Sequence, residues 1–294
     1  MQSFAVGVTS LWILAGFRLL AANPAVEQLR TPPRPSSLRF EVRAAPGLLE
    51  EPSAGRLLVI LGHTRSPEPR EGIGATGLDA APLLGRDVSG FRSGSRTFLD
   101  QHSALFPLAG LGDLPAGEYW VQAVLRTNQD LLLTEAPGNL VSEPVSARLD
   151  PARGGTVRLT LDRRLPEETL PPDTEWLRFV KWRSEVLSRF WGRPIFLRAG
   201  IVLPKGWSEQ PDRRYPLLIT IGGFGTRFTV VADSMREGRS FREAWTADDA
   251  PRFVRLQLDG AGPLGDPYQI DSDNHGPYGQ ALVRELIPEI ESQF

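Results

Sequence analysis

Residues 215–225 read Tyr-Pro-Leu-Leu-Ile-Thr-Ile-Gly-Gly-Phe-Gly, an apolar run that ends in a glycine turn. The run Pro216–Ile221 is almost continuously apolar, which is typical of a strand that is buried on both faces of a parallel sheet. A second apolar strand is predicted at Phe253–Leu258, and a helix is predicted at Tyr278–Ser292. Because strands alternate with helical segments, this half of the chain is predicted to be an α/β domain with a mixed, mostly parallel sheet.

The N-terminal half shows a different pattern, of short strands separated by turn residues. Strands are predicted where β-branched, aromatic and apolar residues alternate with polar ones. These strands are Leu38–Arg43, Arg56–Leu61, Glu118–Arg126 and Thr156–Asp162. The stretch from Ser66 to Gly94 is rich in Gly, Pro and Arg without a period, so a long loop is predicted there. We therefore predict an all-β sandwich in this half.

A proline-rich stretch separates the two halves. Proline disfavours both helices and strand pairing, so an extended linker is expected. The predicted β-sandwich covers residues 37–163, the linker 164–175, and the first half of the α/β domain 176–294. Within that last region, the strands Leu177–Arg183 and Ile195–Leu203 are expected to form an antiparallel pair before the parallel units begin, and Ser184 between them can cap a short helix that extends to Phe190. The helix Tyr278–Ser292 is expected to pack on the sheet through an apolar face of Leu282, Leu286 and Ile290.

The composition excludes several classes of function. Among 294 residues, 35 are acidic and 33 basic, so no field attracts nucleic acid or an anionic membrane surface. There are no cysteines, which excludes disulfides, thiolate metal sites and thiol nucleophiles. We expect neither a nucleic-acid partner nor a cofactor.

The first 22 residues have the features of a secretory signal peptide. An apolar stretch, Phe4–Leu20, is followed by two small residues and then by a proline-rich spacer at residues 23–36. The pattern departs from a signal peptide because no basic residue precedes the apolar stretch and Arg18 lies within it. A membrane anchor is the alternative, but Arg18 interrupts the ~20 apolar residues that a span requires. The protein is therefore expected to be secreted or periplasmic, with no membrane contact beyond this segment.

Several stretches of the C-terminal half carry a resemblance to a known family. They are Ala199–Trp207, Tyr215–Gly225, Leu258–Gly262 and Gly276–Ile290. Together they resemble the esterase family of α/β hydrolases that includes enterochelin esterase-like and carbohydrate esterase-like enzymes. The stretch Phe190–Pro194 and the predicted β-sandwich before it are similar to large secreted members of that family. The resemblance implies a serine-type hydrolase that acts on a small-molecule or carbohydrate ester.

The glycine turn is the candidate oxyanion site. Backbone N–H groups in the loop after the third strand stabilise the negative charge of an acyl-transfer intermediate. The resemblance implies that the amides of Gly223 and Phe224 are these donors. No G-x-S-x-G motif occurs in the chain, and its three histidines all precede the place where the serine is expected. The nucleophile, the acid and the histidine are therefore expected beyond Phe294, and no catalytic residue is assigned within these 294 residues.

Four further residues are predicted to line the rim of a pocket. They follow the strand Phe253–Leu258 or lie near the start of the last helix, and the carboxyl ends of such strands are where open α/β sheets bind ligands. These residues are Asp259, Asn274, His275 and Tyr278. The sequence from Asp271 also begins like a calcium-binding loop, but His275 and Leu282 stand where oxygen ligands are required. No metal site is predicted.

Two other interpretations of the sequence remain open. The β-sandwich could be a non-catalytic carbohydrate- or peptide-binding module, or the chain could be an inactive, truncated product. In a binding module, aromatic rings would stack on sugars, although such rings are more commonly buried. The rings available are Tyr119, Trp120, Trp176, Trp182 and Trp191.

Export is expected to depend on residues 1–22. The apolar stretch ends in small residues before a proline-rich spacer, which suits cleavage by signal peptidase near Ala22. Mass spectrometry of the protein from the external or periplasmic fraction should find a chain that begins close to residue 23. An intact Met1 on an intracellular product would contradict this prediction.

Overall fold

The computed structural model describes residues 34–74, 80–210 and 212–294. The predicted signal peptide, and most of the spacer that follows it, lie outside these ranges. The described chain is mostly β-sheet with few helices, and its two larger sheets each contain both parallel and antiparallel strand pairs.

Nine strands between Leu38 and Arg164 form one continuous sheet in the order β4-β1-β9-β7-β6-β2-β3-β5, with β8 paired to β6. The pair β1–β9 is parallel, and the other pairs of this sheet are antiparallel. The strands are β1 (Leu38–Ala44), β2 (Ser53–Gly62), β3 (Leu83–Phe91), β4 (Arg96–Leu99), β5 (Ala104–Phe106), β6 (Gly117–Arg126), β7 (Leu140–Ser142), β8 (Val145–Leu149) and β9 (Gly155–Arg164).

Two apolar clusters pack on this sheet: a large one, to which β1 contributes, and a smaller one formed by Leu58, Ile60, Val124 and Val141. On β1, Phe40 and Val42 are fully buried while Arg39 and Arg43, on the opposite face, are exposed. Alternating residues of β6, including Val121, pack into the same cluster. Each such side chain contributes roughly 1.5–3 kcal/mol when it is fully buried, so the period-two pattern drives the assembly of the sheet.

The prediction of a long loop from Ser66 to Gly94 is wrong for much of its length. A 3₁₀ turn forms at Pro69–Gly72, and β3 occupies Leu83–Phe91 between β2 and β5. The polar middle of β3, at residues 85–87, hides the strand pattern in the sequence. Hydrogen bonding to β2 fixes this segment as a strand regardless of its composition.

The four predicted strands of the C-terminal half form a second sheet in the order β10-β11-β13-β12. The pairs β10–β11 and β11–β13 are antiparallel, and β12 pairs with β13 in parallel, so the prediction of a mostly parallel sheet is wrong for these four described strands. The strands are β10 (Leu177–Ser184), β11 (Ile195–Val202), β12 (Leu217–Thr220) and β13 (Val254–Leu258). Each agrees with its predicted bounds to within one residue at either end.

Strand β12 is not buried on both faces, contrary to the prediction from its apolar sequence. Leu218 is 46% exposed, and Ile221, just after the strand, is 50% exposed. The reason is that β12 lies at the edge of the sheet, where β13 is its partner among the described strands.

Short helices connect these strands. Helix α1 (Glu185–Trp191) begins after Ser184, whose Oγ accepts a hydrogen bond from the N–H of Leu187 at 3.1 Å, as the predicted N-cap requires. It ends at Gly192, which has a left-handed φ of 65°. Between β12 and β13 lie α2 (Val230–Ser234) and α3 (Ser240–Thr246).

The last helical run contains an irregular turn. A two-residue hairpin, β14 (Asp271–Ser272) and β15 (Gly276–Pro277), precedes it, and the run consists of α4 (Tyr278–Ala281), a π turn (Leu282–Leu286) and α5 (Ile287–Gln293). The predicted helix and its buried face, formed by Leu282, Leu286 and Ile290, are confirmed. From the π turn, the carboxylate of Glu285 accepts hydrogen bonds from Ser184 Oγ and, at 2.9 Å, from the N–H of Val186. The helix is thereby fixed to the start of α1.

A carboxylate beside the nine-stranded sheet, Glu68, has an unusually low pKa. Glu68 accepts hydrogen bonds from Arg70 Nε at 2.7 Å, Gln122 Nε2 at 2.8 Å and Arg163 Nη2 at 3.2 Å. Partial burial disfavours its charged form, but these hydrogen bonds from Gln122, Arg70 and Arg163 lower the pKa of Glu68 from 4.5 to about 2. The ionised form is therefore stabilised in the folded chain.

We expect the stabilisation from Glu68 to be complete above its ordinary pKa of 4.5 and to be lost as the pH falls from there towards about 2. The variant Glu68→Gln should therefore be less stable than the wild type at about pH 6, and this gap in the free energy of unfolding should narrow as the pH falls. Urea unfolding across this pH range measures the gap. Glu118→Gln, at an exposed ion pair with Arg148, is the matched control and should show a small gap at every pH. A gap for Glu68→Gln that is constant with pH would contradict the prediction.

Candidate functional site

The glycine loop, Gly222–Gly225, follows the carboxyl end of β12. Gly225 has a left-handed φ of 70°, and its N–H donates to Asp266 Oδ2 at 2.9 Å. The N–H of Thr226 donates to the carbonyl of Gly223 at 3.0 Å, which closes the turn. In the described part of the chain, the amides of Gly223 and Phe224 have no acceptor. The loop therefore offers two unused backbone donors, next to a Phe224 side chain that is 77% exposed.

The loop that follows β13 packs directly against the glycine loop. The N–H of Gly260 donates to the carbonyl of Thr226 at 2.8 Å. A Cβ atom at Gly260 would lie 2.8 Å from both Thr226 O and Asp266 Oδ2, so only glycine allows this approach. Because β12 and β13 are parallel, both loops lie at the carboxyl ends of the strands, which is where α/β folds bind ligands.

Five charged side chains form a partly buried chain of ion pairs next to these loops, called here the charge network: Asp130, Arg198, Glu168, Arg227 and Asp259. Arg198 Nη2 donates to Asp130 Oδ2, and Arg198 Nε lies 3.4 Å from Glu168 Oε2. The other oxygen of Glu168 accepts from Arg227 Nη2 at 2.7 Å. Arg227 Nε donates to Asp259 Oδ1, also at 2.7 Å. The network joins β11, the linker and the ends of both site loops.

Burial determines the electrostatics at the end of this network. Asp259 is 5% exposed, and its Oδ2 has no hydrogen-bond partner in the described chain. Burial therefore raises the pKa of Asp259, although Arg227 acts in the opposite direction. Burial also disfavours the charge of Arg227, but Asp259 and Glu168 outweigh it and raise the pKa of Arg227. The guanidinium is thus held in its charged form between two carboxylates.

The four predicted rim residues occupy two different places. Asp259 and Tyr278 are not at a rim: both are buried, and both line a cavity of about 10 Å³ below the loops. Burial raises the pKa of Tyr278, so its hydroxyl stays protonated. Asn274 is exposed and His275 half-buried on the β14–β15 hairpin, where Trp191 Nε1 donates to the carbonyl of His275 at 3.1 Å. The structure therefore brings Asp259 to the glycine loop and places His275 against α1.

The sequence did not reveal several residues that shape this edge. Arg227 and Glu168 belong to the charge network, but their partners lie 30 to 59 positions away in the chain, so no local pattern marks them. Tyr268 and Gln269 have positive φ values of 48° and 57°, a conformation that costs non-glycine residues of order 1–3 kcal/mol each. It brings the Tyr268 ring within 6.4 Å of the ring of Phe224.

The aromatic residues considered for sugar binding are all buried or half-buried. Tyr119 belongs to the core of the nine-stranded sheet, and Trp182 and Trp191 pack against the core of the four-stranded sheet. Trp176 packs near α3, and the Trp120 ring is covered by Arg65 at 5.6 Å. These rings are used for packing.

No protein-family model matches the sequence, and no curated protein matches it. Among the described residues, no helix has the length and apolar character needed to cross a membrane. The same residues contain no group of three or more His, Asp or Glu side chains placed to hold a metal ion.

The contact between the two loops should be sensitive to a single methyl group. We expect Gly260→Ala to destabilise the chain by about 1–3 kcal/mol, because the new Cβ would overlap Thr226 O and Asp266 Oδ2. Gly223→Ala is the matched control, since the nearest atom to its Cβ, Thr226 Oγ1, would be 4.0 Å away. Denaturant unfolding should give free energies of unfolding for the two variants that differ by at least about 1 kcal/mol. Equal stabilities would show that the loops do not pack as described.

Proposed function

We propose that this chain belongs to a carboxylic ester hydrolase of the serine type and that its glycine loop supplies oxyanion donors. The observation that carries the proposal is the position of the loop. It lies at the carboxyl end of a parallel edge strand, with the Gly223 and Phe224 amides free of protein acceptors within the described residues. Such amides are the donors that acyl transfer requires.

The order of the four-stranded sheet supports the same interpretation. Two antiparallel strands come first, and the fourth strand, β13, lies between the second and the third. This is the arrangement at the start of an α/β-hydrolase sheet, in which the nucleophile strand then pairs with the third strand. The corresponding side of β12 carries no strand from the described chain. We propose accordingly that the nine-stranded sheet is a β-sandwich module in front of an α/β-hydrolase domain.

The chemistry assigned to the loop is electrostatic. When a serine hydroxyl adds to an ester carbonyl, the carbonyl oxygen becomes an oxyanion, the alcohol then leaves, and water releases the acid. A backbone donor aimed at that oxyanion is typically worth about 3 kcal/mol of transition-state stabilisation. The exposed Phe224 side chain and the nearby Tyr268 ring would contact an apolar part of a small-molecule or carbohydrate ester. The proposed location is secreted or periplasmic.

The purified 294-residue chain is expected to show no serine-dependent turnover of p-nitrophenyl acetate, because no G-x-S-x-G elbow occurs in its sequence. A steady-state assay with and without a serine-reactive phosphonate measures this. Phosphonate-sensitive turnover would contradict the expectation, and Ser234 would then be the first residue to replace.

The positive test uses the chain extended along its own reading frame. The proposal expects that frame to encode a Gly-x-Ser-x-Gly elbow after a further strand, and a stop codon directly after codon 294 would contradict it. In the extended enzyme, Phe224→Pro removes one amide donor and should lower kcat by about 10²–10³-fold. Phe224→Ala keeps the amide and is the matched control. Equal losses in the two variants would count against an oxyanion role for this amide.

A further inference from the structure

The linker between the two sheets contacts the site through one half-buried carboxylate. Glu168 lies in the segment predicted to be a spacer, yet its side chain is 19% exposed and each of its oxygens faces a different guanidinium. Oε2 lies 3.4 Å from Arg198 Nε, and Oε1 accepts from Arg227 Nη2 at 2.7 Å. Its neighbour Glu167 is exposed and forms no ion pair within the described residues.

Arg198 fixes one end of this contact. It lies on β11, is 4% exposed, and also donates to Asp130 in the loop between β6 and β7. Asp130 in turn accepts from the N–H of Phe196 at 3.0 Å, and the N–H of Leu132 donates to the carbonyl of Gly262 at 2.8 Å. Glu168 is therefore held by an arginine whose own position is set from both sheets.

Arg227 forms the other end, and it is two residues from the glycine loop. Its guanidinium connects Glu168 to Asp259, while the carbonyl of the preceding residue, Thr226, accepts from Gly260. The planar fork of arginine can hold two carboxylates at fixed angles, which a single ammonium group cannot do. The position of Arg227 thus limits the conformations open to the loop that ends at Gly225.

We propose that Glu168 is a positioning residue: by holding Arg227 against Asp259, it keeps the glycine loop in the conformation in which the Gly223 and Phe224 amides have no acceptor within the described chain. The catalytic consequence of this inference rests on the proposed function, whereas the effect of Glu168 on the loop conformation can be tested without an ester substrate. Replacing Glu168 by Gln removes the counter-ion that Arg198 and Arg227 share, and leaves Asp259 as the one carboxylate paired with Arg227 in the described chain.

Hydrogen exchange of the full 294-residue chain tests the proposal. The exchange rate is measured at three hydrogen-bonded amides in or next to the two loops: Gly225, Thr226 and Gly260. We expect Glu168→Gln to accelerate exchange at these amides by at least about tenfold, because local opening becomes easier. Amides of β2 and β6 should exchange at the wild-type rate and serve as the internal reference. Glu167→Gln makes the same charge change at the next residue and should leave all of these rates unchanged.

Arg227→Lys provides a second, independent variant. It keeps the positive charge but cannot bridge Glu168 and Asp259, so it should accelerate exchange at the same three amides. Wild-type exchange in both variants would overturn the proposal. Equal acceleration in the loops and in β2 and β6 would also overturn it, because the role would then be general stability. The turnover of Phe224→Pro in the extended enzyme tests the proposed function separately, so that either idea can fail without the other.

Discussion

Arg198 imposes the constraint on which the arrangement of the two sheets depends. A guanidinium that is 4% exposed is tolerated only when carboxylates compensate it, because removing one partner of a buried ion pair typically costs 3–5 kcal/mol. Neither of its compensating carboxylates belongs to its own sheet: Asp130 comes from the nine-stranded sheet and Glu168 from the linker. Arg198 on β11 can therefore be buried only when Asp130 and Glu168 are positioned beside it.

The ion pairs that begin at Arg198 also restrict the conformation of the glycine loop. Short loops rich in glycine have many accessible conformations, and an oxyanion site needs one of them. Here a hydrogen bond to Asp266, a backbone contact with Gly260 and the ion pairs of Arg227 act on three consecutive residues, Gly225, Thr226 and Arg227. The strained backbone at Tyr268 and Gln269 lies in the segment that supplies Asp266, which indicates that this second loop is also held in place by its surroundings.

Local patterns in the sequence predicted the elements of this fold better than they predicted the site. The strands of the smaller sheet, the N-cap at Ser184 and the buried face of the last helix follow from periods of two or 3.6 residues and from capping chemistry. Strand β3 was missed because its pairing with β2, and not its own composition, makes it a strand. The exposure of Leu218 was missed because an apolar sequence does not specify how many neighbours a strand has. The charge network was missed because its members are brought together only by the tertiary fold.

The spacing of the charge network has a consequence for sequence divergence. The residues that compensate Arg198 and Arg227 lie between 30 and 68 positions from them in the chain, yet each pair shares a hydrogen bond or an ion pair. A lineage that replaced Arg198 by an apolar residue would leave Asp130 without its charged partner and Glu168 with Arg227 alone, and selection would favour the loss of Asp130 as well. Substitutions at these positions should therefore be correlated among related sequences, and the correlation should connect the linker to both sheets while the surrounding linker residues vary freely.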